Sequence, residues 1–137
     1  MVPQPVLNAP DLQEILHAAF GDGVPEVERV TEDGVIIRQR ASERHVRPGG
    51  TLSGPTMMML ADTAAWVALM SRAGAELLAV TTSLHIDFLR KPAVADLLAT
   101  ARLVKFGSRL VVCTVDIRSD GSDACVATAS VTYSRPR

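Results

Sequence analysis

What is scarce in this chain narrows its function first. Aromatic residues make up 4% of the 137 positions, and the formal net charge is −1. With few stacking platforms and no basic surplus to neutralise phosphates, nucleic-acid binding is not expected. Long hydrophobic runs are missing too. The most apolar stretch, Thr56 to Ser71, has Asp62 in its middle and falls short of the roughly 20 residues that span a bilayer. Met1 to Pro10 holds no Lys or Arg and no apolar run, so no signal peptide or membrane association is expected. Only two cysteines occur, Cys113 and Cys125. A two-residue turn at Asp120-Gly121 would set them out of register across a strand pair, so two buried thiols in a reducing compartment are expected, not a disulfide. Neither metal-ligand spacing nor a Gly-rich phosphate loop is present, and no bound metal or cofactor is expected.

What remains is the composition of one packed domain, with 47% hydrophobic and 21% charged residues. We assign residues 1–137 to a single domain with a helical extension over 1–23, in a cytoplasmic enzyme or binding protein. Asp11 reads as the cap of a short helix carrying Leu12, Ile15, Leu16 and Ala19 and ending at Gly21. Asp33-Gly34 predicts a hairpin between Val27–Val30 and Val35–Gln39. A turn-rich loop over 41–55 leads into a helix from about Pro55 to Ala73, stopped by Gly74. Strict alternation over Val80–Leu89 predicts a strand with Val80, Thr82, Leu84, Ile86 and Phe88 on one face and Thr81, Ser83, His85 and Asp87 on the other. Segments 95–106, 109–118 and 125–133 read as an antiparallel meander. The architecture is thus α+β, with one long helix covering an antiparallel sheet. From Met57 to Met70 only Asp62 and Thr63 are not apolar, so that helix is expected to meet the sheet on one side and a second subunit on another.

A carboxylate in such a helix is costly to bury without partners. From spacing alone, Asp62 is either catalytic, or structural at a solvated edge or beside an arginine. Gly54 stands where a helix N-terminus favours developing negative charge, and Pro55 has no N–H to offer. The Gly54 amide is therefore an oxyanion-donor candidate, although Ser53-Gly54-Pro55 is equally readable as a capped helix start. Eight residues of helix rise about 12 Å. One carbonyl cannot touch both Gly54 and Asp62 of the same helix, so a site using both must be shared across a symmetric dimer.

The run Leu52-Ser-Gly-Pro-Thr-Met-Met-Met-Leu-Ala-Asp62-Thr-Ala64 resembles the phenylacetate-degradation-type (PaaI-like) hotdog thioesterases. The resemblance continues through Val80–Pro92, Ala99–Gly107 and Ala127–Tyr133. It implies a hotdog fold, homodimers that often pair into tetramers, and hydrolysis of acyl-CoA-type thioesters with Asp62 as base or nucleophile. It also places Gly54 at the oxyanion position and Thr81 where some members carry a Ser or Thr that helps place the attacking water. Three family positions differ: the usual His is Ser53, the second Gly is Pro55, and the Asn or Gln ahead of that His is Arg47. No histidine of this chain stands where it would replace the missing imidazole. Ser53 and Arg47 are expected to contact substrate, and Trp66 to line the acyl pocket or the core. Arg90, Lys91, Lys105 and Arg109 are candidates for coenzyme A phosphates, or ordinary loop charges. A ligand-binding hotdog protein without hydrolysis is the main alternative, and a hydratase the remoter one.

Overall fold

The computed structural model describes residues 2–137. Helix α1 spans Ala9–Phe20. Its cap is Asn8, not Asp11. Asn8 Oδ1 accepts the Asp11 N–H at 2.9 Å and Asp11 Oδ2 accepts the Asn8 N–H at 3.2 Å, a reciprocal capping box with the acid three residues in. The helix starts earlier than the acidic residue suggested because Pro10 is tolerated in a first turn, where its missing N–H has no intrahelical partner.

Strands β1 (Glu26–Val30) and β2 (Gly34–Gln39) form the expected hairpin. At Gly34 the requirement is space: a Cβ would lie 1.7 Å from the Ala101 carbonyl oxygen of the next strand. The loop that follows is more ordered than its composition suggested. After a 3-10 turn at Glu43–His45, β3 (Val46–Arg47) and β4 (Thr51–Leu52) pair around Pro48-Gly49-Gly50. Both glycines have positive φ, 99° and 72°, as so tight a reversal requires. Asp96 pins the loop's start by accepting the Ala41 N–H at 2.9 Å. That bond and the Arg38 and Arg40 guanidiniums hold the Asp96 carboxyl below the usual carboxylate range.

Helix α2 covers Gly54–Ala73, and β5 (Val80–Phe88), β6 (Leu97–Phe106), β7 (Leu110–Ser119) and β8 (Cys125–Ser134) follow. One six-stranded antiparallel sheet results, in the order β1-β2-β6-β7-β8-β5. β6, β7 and β8 form the meander, while β5 crosses to the far edge and pairs only with β8. The β7–β8 link runs from Asp120 to Ala124 and is longer than a two-residue turn. Cys113 therefore faces Val131, and Cys125 faces Arg118. Both cysteines are free, and burial pushes the Cys113 thiol up to about 12.

α2 lies close on the sheet because small residues meet small residues. Ala61, Ala64, Ala65 and Ala68 face an inner sheet surface that includes Ala99, Ala101, Ala127 and Ala129, all buried. Part of the helix's burial comes from within the chain. The carbonyl of Ser71 accepts the Val6 N–H at 2.7 Å, and Phe20 packs edge-on against Trp66 with centroids 5.7 Å apart. The N-terminal segment thus covers the C-terminal half of α2, whereas Met58 and Met59 near its start remain 41% and 57% exposed.

The end of α2 is fixed by Arg72, a buried cation with no carboxylate partner among the described residues. Its guanidinium donates to the carbonyls of Gly34 at 2.9 Å, Thr31 at 2.7 Å and Glu32 at 2.8 Å, locking the helix to the β1–β2 turn. Burial lowers its pKa, but several charge-assisted hydrogen bonds compensate. Arg72→Ala, which takes away the guanidinium bonds to those carbonyls, is expected to cost about 2–4 kcal/mol, measured as a shift in the urea unfolding midpoint at unchanged slope.

Candidate active site

Asp62 neither pairs with an arginine nor stands free in solvent. Half-buried on α2, it meets two hydroxyls from the sheet. Thr81 Oγ1 donates to Asp62 Oδ1 at 2.6 Å, and the Tyr133 hydroxyl donates to the same oxygen at 2.8 Å while lying 3.1 Å from the Asp62 carbonyl. Thr81 and Tyr133 are direct cross-strand partners on β5 and β8. Burial raises the Tyr133 pKa well above its ordinary value. Thr81 opposes this and the Asp62 charge reinforces it, so the phenol stays protonated as a donor.

Thr81 reaches this position through a β-bulge. Between Thr81 and Ser83 the β5–β8 register shifts by one residue. Alternation alone puts Thr81 on the face opposite Leu84, Ile86 and Phe88. The inserted residue, Thr82, turns it onto the same, helix-facing side, and bulges re-aim side chains in this way.

The start of α2 offers one amide. Ser53 caps it, its Oγ accepting the Thr56 N–H at 3.2 Å, and the Met57 N–H goes to the Ser53 carbonyl. Pro55 has no N–H. Among the described residues nothing accepts from the Gly54 amide, which leaves it as the unsatisfied donor at the positive end of the helix dipole. Gly54 sits over the Phe88 ring, where a Cβ would lie 3.4 Å from the ring's tip. Both line a groove of about 550 Å³ that also takes in Arg47, Met57, Arg90 and Lys91. Thr51 Oγ1 donates to the Pro92 carbonyl at 2.8 Å, clasping the β3–β4 hairpin, with Arg47, to the loop carrying Arg90 and Lys91. None of these three cations enters an ion pair among the described residues. The groove is therefore suited to an anionic ligand.

A sequence model described as thioesterase superfamily matches residues 49–135. This chain belongs to the thioesterase superfamily. Among solved structures, a protein of Silicibacter sp. TM1040 provisionally described as a thioesterase is 38% identical, with 98% of this chain and 95% of that one covered at a TM-score of 0.91. Zebrafish thioesterase superfamily member 2 is 24% identical, with 95% and 99% covered at a TM-score of 0.82. A Haemophilus influenzae thioesterase is 20% identical, with 98% and 94% covered at 0.84. No curated protein matched. The long helix against a six-stranded antiparallel sheet is the hotdog fold of this superfamily.

Within one protomer of this thioesterase-superfamily chain, the expected site residues separate into two groups. Gly54, Ser53, Arg47, Arg90 and Lys91 gather at the Phe88 end of β5, although Ser53 uses its side chain as a helix cap. Asp62 and Thr81 lie at the Val80 end. Lys105 and Arg109 flank the β6–β7 turn, at the Val80 end of the sheet, so they do not converge with Arg90 and Lys91 within this chain. Trp66 is buried three turns beyond Gly54, donates to the Glu76 carbonyl at 3.3 Å and is absent from the groove. His45 is buried against Ser42, its pKa lowered first by burial and then by Arg44, and it lines a different hollow. It supplies no imidazole to the groove.

Tyr133, Phe88 and the Thr82 bulge were not assigned to the site from the sequence. Tyr133, the sole tyrosine, closes the buried alternation of β8, and a lone phenol at the end of a core strand was the available signal. If Ser53 serves as a cap, Ser53→Ala is expected to lower stability by about 1 kcal/mol and leave substrate KM within about twofold. Thermal unfolding and steady-state kinetics on one preparation read both.

Proposed function

We propose that this chain is an acyl-CoA thioesterase of the PaaI-like type, acting as a homodimer whose two active sites are each built from both subunits. The observation that carries this reading is the division of the site along β5. That strand is paired on one side only, and Val80, Phe88 and Leu89 are exposed on or beside it. A nine-residue edge without proline is a template for further pairing, and an isologous partner would add its own β5 antiparallel. With the two-fold axis near Leu84–His85, the Phe88 end of one strand meets the Val80 end of the other. Gly54 and the cationic groove of one subunit then face Asp62 and Thr81 of its mate. The same docking covers Met58 and Met59, and it brings Lys105 and Arg109 to the end of the assembly that carries the other subunit's Arg90 and Lys91. A dimer of dimers is compatible with this arrangement.

In the mechanism we propose, the thioester carbonyl oxygen accepts the Gly54 N–H, and the 3′- and 5′-phosphate end of coenzyme A lies among Arg47, Arg90 and Lys91. Asp62 acts through Oδ2, because Oδ1 is engaged by both hydroxyls. As base it takes a proton from water while the water oxygen bonds to the carbonyl carbon. The C=O electron pair moves onto oxygen beside Gly54, then returns as the C–S bond breaks. The sulfur leaves with the proton from Asp62, giving a free acid and a thiol. Direct attack by Oδ2 would use the same geometry, through a mixed anhydride that water then opens.

A panel of acyl- and aroyl-CoA esters is expected to contain at least one that is hydrolysed, with Asp62→Asn lowering kcat by at least about a hundredfold. Gly54→Val, which crowds the groove at Phe88, is expected to be nearly inactive as well. Mixing the two variants after dissociation should restore about a quarter of wild-type activity, since half the reassembled dimers carry one intact site. No recovery from a mixture shown by mass to contain heterodimers would rule out the shared site. Full activity in Asp62→Asn would end the assignment of that carboxylate, whereas tight binding without turnover across the panel would leave a ligand-binding protein instead.

A further inference from the structure

The catalytic reading above does not assign any role to Tyr133, and this inference rests on that reading of Asp62. We propose that Tyr133 is a positioning residue, which together with Thr81 fixes the Asp62 carboxylate so that a single oxygen is presented to substrate. Three observations support it. Both hydroxyls converge on Oδ1, at 2.6 and 2.8 Å, and no described group donates to Oδ2. The donors come from adjacent strands at one cross-strand pair, so the sheet sets their spacing, not flexible side chains. Tyr133 is 6% exposed, whereas Thr81 is solvent-accessible in the protomer. The tyrosine is thus the donor that water cannot readily replace.

The geometry also fixes the carboxylate plane. A hydrogen-bond acceptor held by one donor still swings about its Cβ–Cγ bond. Two donors arriving from different directions at one oxygen leave a single orientation, and productive attack needs the reacting atoms aligned within a narrow range. The Tyr133 hydroxyl lies 3.1 Å from the Asp62 carbonyl as well, which ties the phenol to the helix backbone and the side chain alike. The hydroxyl is therefore placed relative to α2, not merely relative to its own strand. A family-type histidine is absent from the start of α2, and the burden of orienting the reactive group falls on the sheet side of the site.

Tyr133→Phe removes the hydroxyl and keeps the ring in its buried slot. The expected result is a kcat reduced about tenfold with KM within about twofold, and no further loss when the same substitution is made in Asp62→Asn, because the phenol acts only through that carboxylate. Thr81→Val should behave likewise and Thr81→Ser should recover most of its loss, at an exposed position where folding is not at stake. If Tyr133→Phe slows wild type and Asp62→Asn by the same factor, or leaves kcat unchanged, the positioning role is overturned while Asp62 keeps its own. If Asp62→Asn is itself fully active, the catalytic reading has failed, and this inference falls with it. The two failures are thereby distinct.

Discussion

One carboxylate in the apolar middle of α2 sets the terms for the rest of the structure. A half-buried Asp62, set between Ala61 and Ala64 on the helix, calls for hydrogen-bond partners. The helix therefore has to lie where two hydroxyls of the sheet can reach that carboxylate. The alanine-on-alanine contact brings α2 close enough, Arg72 fixes its far end to the β1–β2 turn, and Ser53 fixes its near end. Packing, capping and the buried guanidinium all hold the helix in one place, over the middle of the sheet.

The same rigidity separates the chemistry. A straight helix carries Gly54 and Asp62 about 12 Å apart, and the strand beneath carries Phe88 and Thr81 about 20 Å apart. No side-chain rearrangement closes such gaps. The chain thus carries two separate polar clusters: an unsatisfied amide beside a cationic groove at one end, and a carboxylate held by two hydroxyls at the other. The open β5 edge between them has the length and exposure to receive a second copy.

Much of the fold could be read from the residues. The Asp33-Gly34 hairpin, the apolar helix ended by Gly74 and the long alternating strands are local patterns that tertiary packing reinforced. That the Gly54 amide is free was legible because proline at 55 has no N–H to offer at the helix start. Other features depend on contacts distant in sequence. Asn8 displaced Asp11 as a cap because the pair bonds reciprocally. The β3–β4 hairpin is two residues long on each side, too short for periodicity to register. Lys105 and Arg109 looked like neighbours of Arg90 and Lys91 until the strand order put them at opposite ends. Trp66 looked available for a pocket until Phe20 and the N-terminal segment were found on the side of α2 where it lies.

The bulge at Thr82 shows how little sequence separates a carboxylate held by two hydroxyls from one held by a single hydroxyl. A strand's faces are assigned by parity, and one extra residue inverts the parity of everything on one side of it. Here the inversion falls between the threonine that serves Asp62 and the leucine and isoleucine that pack on the core, so both groups share a face that a regular ladder would deny to one of them. Insertion or loss of a single codon at that point would reassign the threonine without disturbing the core. Within this architecture, the placement of the hydroxyl depends on the count of residues as much as on their kind.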